Sequence, residues 1–184
     1  MTLPGTVSTF TEVPFAGCKE LTDVGFTSPG GYACADGLLC SVDGSGNRTG
    51  VVECLESRGT KIGASKISSS ELAGITDIAP CAFQNCTGIR EAYLDEVRTT
   101  LIPDYCFDGA TQLYYCSLSD SVKRIGKYAF RNTALSTIRI PGSVQAIDDE
   151  AFITDDGAGN VNYIQGLTVQ CEDCLLYTSP SPRD

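Results

Sequence analysis

The sequence predicts a β-rich repeat solenoid: a right-handed coil of about five repeats of 22–24 residues, with short helical turns and one inter-repeat insertion. Three observations carry this. Phe83, Phe107, Phe130 and Phe152 recur at intervals of 24, 23 and 22 residues. An isoleucine stands five residues before each, at Ile78, Ile102, Ile125 and Ile147. Apolar triads with L-x-x-L-x-L spacing follow: Ile89/Ala92/Leu94, Leu113/Cys116/Leu118 and Leu135/Ile138/Ile140. A unit this short cannot cover its own apolar face, so units stack and share a continuous core.

Taken in order, residues 1–26 form a truncated first repeat, with Phe10 and Phe15 ahead of a triad Leu21/Val24/Phe26. Residues 27–71 break the period and are an inter-repeat insertion. Within it, Leu38–Val42 against 51–55 around a Gly-rich turn predicts a β-hairpin. Residues 72–173 hold four further repeats. The last triad, Ile164/Leu167/Val169, is displaced by an insertion at 155–160. In each triad the last two positions, two apart, suit a strand with one buried face. The Ala-Phe pairs suit a short turn or helix opposite that strand, and Val122/Ile125 and Val144/Ile147 suit a second, shorter strand.

Composition narrows function. Net charge is −10 with a pI near 4.4, and no basic patch is visible, which disfavours nucleic acid. Histidine is absent, which removes Ser-His and Cys-His catalytic pairs and His-ligated metal sites. No catalytic signature such as G-x-S-x-G occurs, so neither an enzyme nor a cofactor is expected. No apolar run reaches the roughly 18 residues of a membrane-spanning helix. MTLPGTVSTF lacks the basic and apolar regions of a signal peptide. Residues 174–184, CLLYTSPSPRD, resemble one translated frame of a sequencing-library adaptor and are expected to be non-native.

Other motifs have plain readings. Cys18, Cys86 and Cys116 occupy repeat columns as small hydrophobes. A pair among Cys34, Cys40 and Cys54 suits a staple across the hairpin, Cys40–Cys54 first, if the chain is exported. Cys171-x-x-Cys174 draws its second cysteine from the adaptor-like tail, so no metal is expected there. The acidic clusters 148–150 and 155–157 lack the closing acid of a calcium loop and suit solvated loops. Asn47-Arg48-Thr49 is a glycosylation sequon in an exposed loop; Asn85-Cys86-Thr87 falls in a repeat turn, where Asn and Thr cap backbone groups.

The segments ITDIAPCAFQNCTGIREAYL, VKRIGKYAFRNTALSTIRIP and VQAIDDEAF resemble BspA-like leucine-rich repeats, over Leu3–Phe26 and Leu72–Val169. DGLLCSVDG at 36–44 is similar to the insertions that separate such repeats. Cys106-Phe107 replaces Ala-Phe in one repeat, a small swap. The resemblance implies a β-rich leucine-rich-repeat solenoid, and an extracellular or cell-surface scaffold used in adhesion or recognition.

Alternation along each strand then points to a partner face. Glu91, Tyr115, Thr137 and Gly166 stand just before the middle triad residue; Tyr93, Ser117, Arg139 and Thr168 stand just after it. Glu91, Tyr93, Tyr115, Ser117, Thr137 and Arg139 are therefore the candidate binding residues, on a concave sheet, for a protein or glycan. Tyr93 and Tyr115 fall on adjacent strands and form one patch, flanked by Arg139 and Glu91. The alternative is a structural spacer with no binding activity of its own.

Overall fold

A computed structural model describes residues 1–10, 13–27, 30–158 and 160–172. The adaptor-like tail, and the Cys174 half of the C-x-x-C spacing, lie outside the described residues. Short strands succeed one another along the chain: β1 (Thr2–Leu3), β2 (Gly25–Phe26), β3 (Tyr32–Ala35), β4 (Leu38–Val42), β5 (Arg48–Cys54), β6 (Lys66–Ile67), β7 (Asp77–Ile78), β8 (Glu91–Leu94), β9 (Leu101–Ile102), β10 (Tyr115–Leu118), β11 (Arg124–Ile125), β12 (Thr137–Pro141), β13 (Ala146–Ile147), β14 (Ile153–Asp155), β15 (Val161–Tyr163) and β16 (Thr168–Glu172).

Triad strands form a five-stranded parallel sheet in the order β16-β12-β10-β8-β6. The second strands form a three-stranded parallel sheet, β13-β11-β9. Each strand advances one repeat in register: Ala92 lies beside Cys116 and Cys116 beside Ile138, while Ile102, Ile125 and Ile147 align. This is the stacked β-rich solenoid that the periodicity predicts, with the leucine-rich-repeat architecture that the resemblance implies.

A third ladder joins the Phe turns. The N–H groups of Phe83, Phe107 and Phe130 donate to the carbonyls of Cys106, Ala129 and Ala151 at 2.9, 2.7 and 2.9 Å. Cys81, Tyr105, Tyr128 and Glu150, two residues before each Phe, have φ of 60°, 57°, 57° and 63°. Asn85, Gly109 and Asn132, two residues after, have φ of 56°, 73° and 56°. These segments are hydrogen-bonded turns; among the described residues the helical pieces are single turns at Arg58–Ile62 and Ser69–Leu72. The rings of Phe83, Phe107, Phe130 and Phe152 stack nearly parallel, with centroids 4.7, 5.3 and 5.2 Å apart.

Part of the expected insertion joins the sheets. The hairpin of β4 and β5 forms, and β5 also pairs in parallel with β7, aligning Val51 with Ile78. β6 extends the triad sheet, aligning Ile67 with Ala92. The Cys54 N–H donates to the Ala82 carbonyl, repeating the Phe83-to-Cys106 bond one coil earlier. Cys54 thus stands where a Phe would, and residues 48–67 make a further coil.

The stack stops there. Phe15 packs in a second cluster with Val24, Leu39 and Leu55. The two clusters meet across the hairpin strands, since Leu38 and Cys54 belong to the main one and their neighbours Leu39 and Leu55 to the second. Arg58 is 1% exposed, ion-pairs with Glu71, and donates to the carbonyls of Asp36 and Lys66. Glu53 and Glu56 accept from the N–H groups of Phe15 and Gly17, at 2.9 and 2.7 Å.

Three expectations are corrected. The last triad is out of register by two: Val169, not Leu167, aligns with Ile138, and Thr168 aligns with Thr137. Val169 is 49% exposed, so burial does not pin the register there. Cys34, Cys40 and Cys54 are free thiols; a register shift between Leu39 and Cys40 sets Cys40 opposite Val51 and Cys54 opposite Leu38. Cys18 is exposed rather than a core hydrophobe. The acidic clusters are partly engaged, since Asp148, Glu150 and Asp155 pair with Arg124, Lys127 and Arg131 of earlier coils.

Candidate binding face

β8, β10 and β12 set the six sequence-derived residues on two ladders. Glu91, Tyr115 and Thr137 align on one; Tyr93, Ser117 and Arg139 align on the other. Ala92, Leu94, Cys116 and Ile138 between them are buried, which fixes the intervening side chains outward.

The Tyr93 and Tyr115 rings meet at 5.1 Å between centroids, tilted by 41°. Lys66 of β6 places its ammonium 4.0 Å from the Tyr93 ring centroid, a cation–π contact. Glu91 accepts from the hydroxyls of Tyr114 and Tyr93 and lies 3.5 Å from the Lys66 ammonium. Those hydroxyls hold the Glu91 carboxyl below its usual range. In return, the hydrogen bond to Glu91 pushes the Tyr93 phenol up to about 12. The carboxylate therefore stays ionised and the phenols stay donors across the neutral pH range.

The second ladder centres on Asp95. It accepts from Ser117 at 2.7 Å and from Ser69 at 3.3 Å, and lies 3.5 Å from the Arg139 guanidinium. Ser117 is only 1% exposed, so it supports Asp95 rather than meeting solvent. Thr137 is half-buried beside Tyr115 and Arg139 is half-buried beside Ser117.

Sequence reasoning missed Lys66, Tyr114 and Asp95. Lys66 lay inside the expected insertion. Tyr114 is 43% exposed and precedes its strand, reaching back a coil to Glu91. Asp95 follows the final triad residue, where a turn was the only signal. The arrangement is a pre-formed platform of rings and paired charges. Two tilted rings lie at its centre, with the charged groups of Lys66, Glu91, Asp95 and Arg139 around them. Among the described residues no cluster of three His, Cys, Asp or Glu side chains suits a metal ion, and no helix is long and apolar enough to cross a membrane.

Comparison with known proteins supplies context. The family model described as "BspA type Leucine rich repeat region (6 copies)" matches residues 61–157, more than half of the chain. Among solved structures, a leucine rich cell surface protein from Faecalibacterium prausnitzii superposes at a TM-score of 0.62 and 19% identity, over 93% of this chain and 47% of that one. The chain thus spans about half the length of that protein. A leucine-rich repeat protein from Eubacterium ventriosum gives a TM-score of 0.40 at 12% identity, over 97% of this chain and 61% of that one. No curated protein matches.

Proposed function

The chain belongs to the BspA-type leucine-rich-repeat family, and from that premise we propose that it is a non-enzymatic recognition scaffold that presents its five-stranded sheet to a protein or glycan ligand. The proposal places it in a larger surface or secreted protein, in keeping with its likeness to a bacterial cell surface protein. One observation carries the ligand role: Tyr93 and Tyr115 touch on adjacent strands, held by Glu91 and flanked by Lys66 and Arg139. Tyrosine and arginine dominate binding hot spots, because each joins a large contact area to a polar tip.

The spacer alternative has its own support, since Glu91 and Asp95 already find partners within the chain. Probing glycan and extracellular-protein arrays with the chain and with a Tyr93→Ala/Tyr115→Ala variant separates the two. A recognition face yields a ligand whose affinity falls by more than about 1 kcal/mol in the variant. No ligand on either array favours the spacer. A ligand indifferent to both tyrosines but sensitive to Val42, the half-buried end of β4, moves the site to the hairpin.

A further inference from the structure

We propose that Tyr105 and Tyr128 form a second binding site, on the ladder of Phe turns rather than on the triad sheet, for an uncharged, extended glycan chain laid along the solenoid axis. The two rings occupy the same turn position in consecutive coils, with centroids 5.1 Å apart and planes tilted by 39°. Both residues are half-buried, so each ring is partly packed and partly open to solvent. The Arg131 guanidinium carbon lies 4.7 Å from the Tyr128 centroid and 5.5 Å from that of Tyr105. The Lys127 ammonium lies 4.6 Å from the Tyr128 centroid.

The backbone conformation gives the turn no reason to hold tyrosine. Tyr105 and Tyr128 both have φ of 57°, a left-handed conformation that disfavours bulky side chains and suits Gly or Asn. Two residues after the Phe, the chain meets the same demand with Asn85, Gly109 and Asn132. Two residues before the Phe it carries tyrosine in two successive coils. Strain of this kind persists where a side chain has a task beyond the turn itself.

The charges select the ligand class. Asp108 accepts from Arg131 at two points, Asp155 lies 3.9 Å from the same guanidinium, and Glu150 lies 3.1 Å from the Lys127 ammonium. Both cations are therefore matched within the chain, and a phosphate, sulfate or carboxylate ligand would have to displace their partners. What remains is aromatic surface edged by fixed donors and acceptors, which suits the C–H faces and hydroxyls of a sugar. The rings follow the coil repeat, roughly 4.8 Å for neighbouring strands, close to the advance of one hexose along an extended chain. A ladder two rings long and one ring wide suits such a chain better than the broad surface of a protein partner.

The test titrates the full chain calorimetrically with cellohexaose and chitohexaose, uncharged probes whose β-1,4 links hold them extended. At least one is expected to bind, with affinity falling about tenfold or more in Tyr105→Asn/Tyr128→Asn. Asparagine suits the left-handed backbone, so that double variant should keep the thermal midpoint of the parent chain or raise it. Tyr93→Ala/Tyr115→Ala, on the triad sheet, should bind the same probe with unchanged affinity. Failure of both probes to bind, or binding that survives in Tyr105→Asn/Tyr128→Asn, overturns the proposal. So does tighter binding of polygalacturonate, an anionic glycan, than of either neutral probe. A midpoint that drops in Tyr105→Asn/Tyr128→Asn as far as in Phe130→Ala also overturns it, because the rings would then serve packing. The two tyrosine pairs are varied separately, so failure here leaves the recognition face on the triad sheet standing.

Discussion

Gly59 and Gly88 press their backbones together where the π-helical turn meets the first Phe coil. A β-carbon on Gly88 would lie 2.5 Å from the Gly59 carbonyl carbon, and one on Gly59 would collide with the Gly88 backbone. Backbone cannot step aside as a side-chain tip can. Gly88→Ala is expected to cost about 1–3 kcal/mol or more, as overpacking does, seen as a lowered urea midpoint. Gly44→Ala, with open space around it, should leave the midpoint unchanged. Glu53 behaves differently. It is 3% exposed, and burial pushes its carboxyl up to about 7. The folded state therefore holds a proton that the unfolded chain releases at the ordinary, lower carboxyl pKa. Stability falls as pH rises from the ordinary carboxyl range to about 7 and then levels off. The first coil should be better protected at about pH 5 than at about pH 8, with slower intrinsic-rate-corrected amide exchange at Phe15. Glu53→Gln should remove most of that difference, since it keeps the acceptor and loses the titration.

Between elements, cross-coil contacts do the joining. Asp108 is 5% exposed and receives a two-point contact from Arg131 of the next coil, at 2.8 Å twice, and a bond from Gln84 of the previous one. Asp108→Ala is expected to cost about 1.5–3 kcal/mol by urea titration, the range for hydrogen bonds to a charged group. Asp148→Ala, which breaks the solvent-exposed pair with Arg124, should barely move the midpoint. Element identity was legible wherever burial is complete. Phe83, Phe107 and Phe130 are fully buried, so their spacing announces the coils without ambiguity. The coil at 48–67 was hidden because Cys54 takes the Phe position and a charged residue, Arg58, is buried beside it in the chain. A two-residue strand such as Lys66–Ile67 also has no periodicity to read. At β16 the alternation was right and the register wrong, because a shift of two keeps every side chain on its face.

Over the whole molecule, core and display face are separate properties of the same strands. Columns of Phe, Ile and small residues determine how coils stack, and the residues between them are left for contact. The candidate site was legible to that extent: strand alternation and repeat register placed Tyr93 beside Tyr115. Sequence could not show that Ser117 is covered by its neighbours, or that Lys66 and Tyr114 reach in from adjoining coils. Both depend on contacts between coils that no single repeat contains. The division between core and face is tested most directly by equilibrium urea unfolding of Phe130→Ala beside Tyr115→Ala. Phe130 is fully buried between Phe107 and Phe152, at 5.3 and 5.2 Å, so its removal should cost about 3–5 kcal/mol. Tyr115 lies half-buried on the outer ladder, and its removal should cost less than about 1 kcal/mol. An unchanged midpoint for Phe130→Ala, or a loss for Tyr115→Ala as large as that for Phe130→Ala, would contradict the stacked column and the free face together.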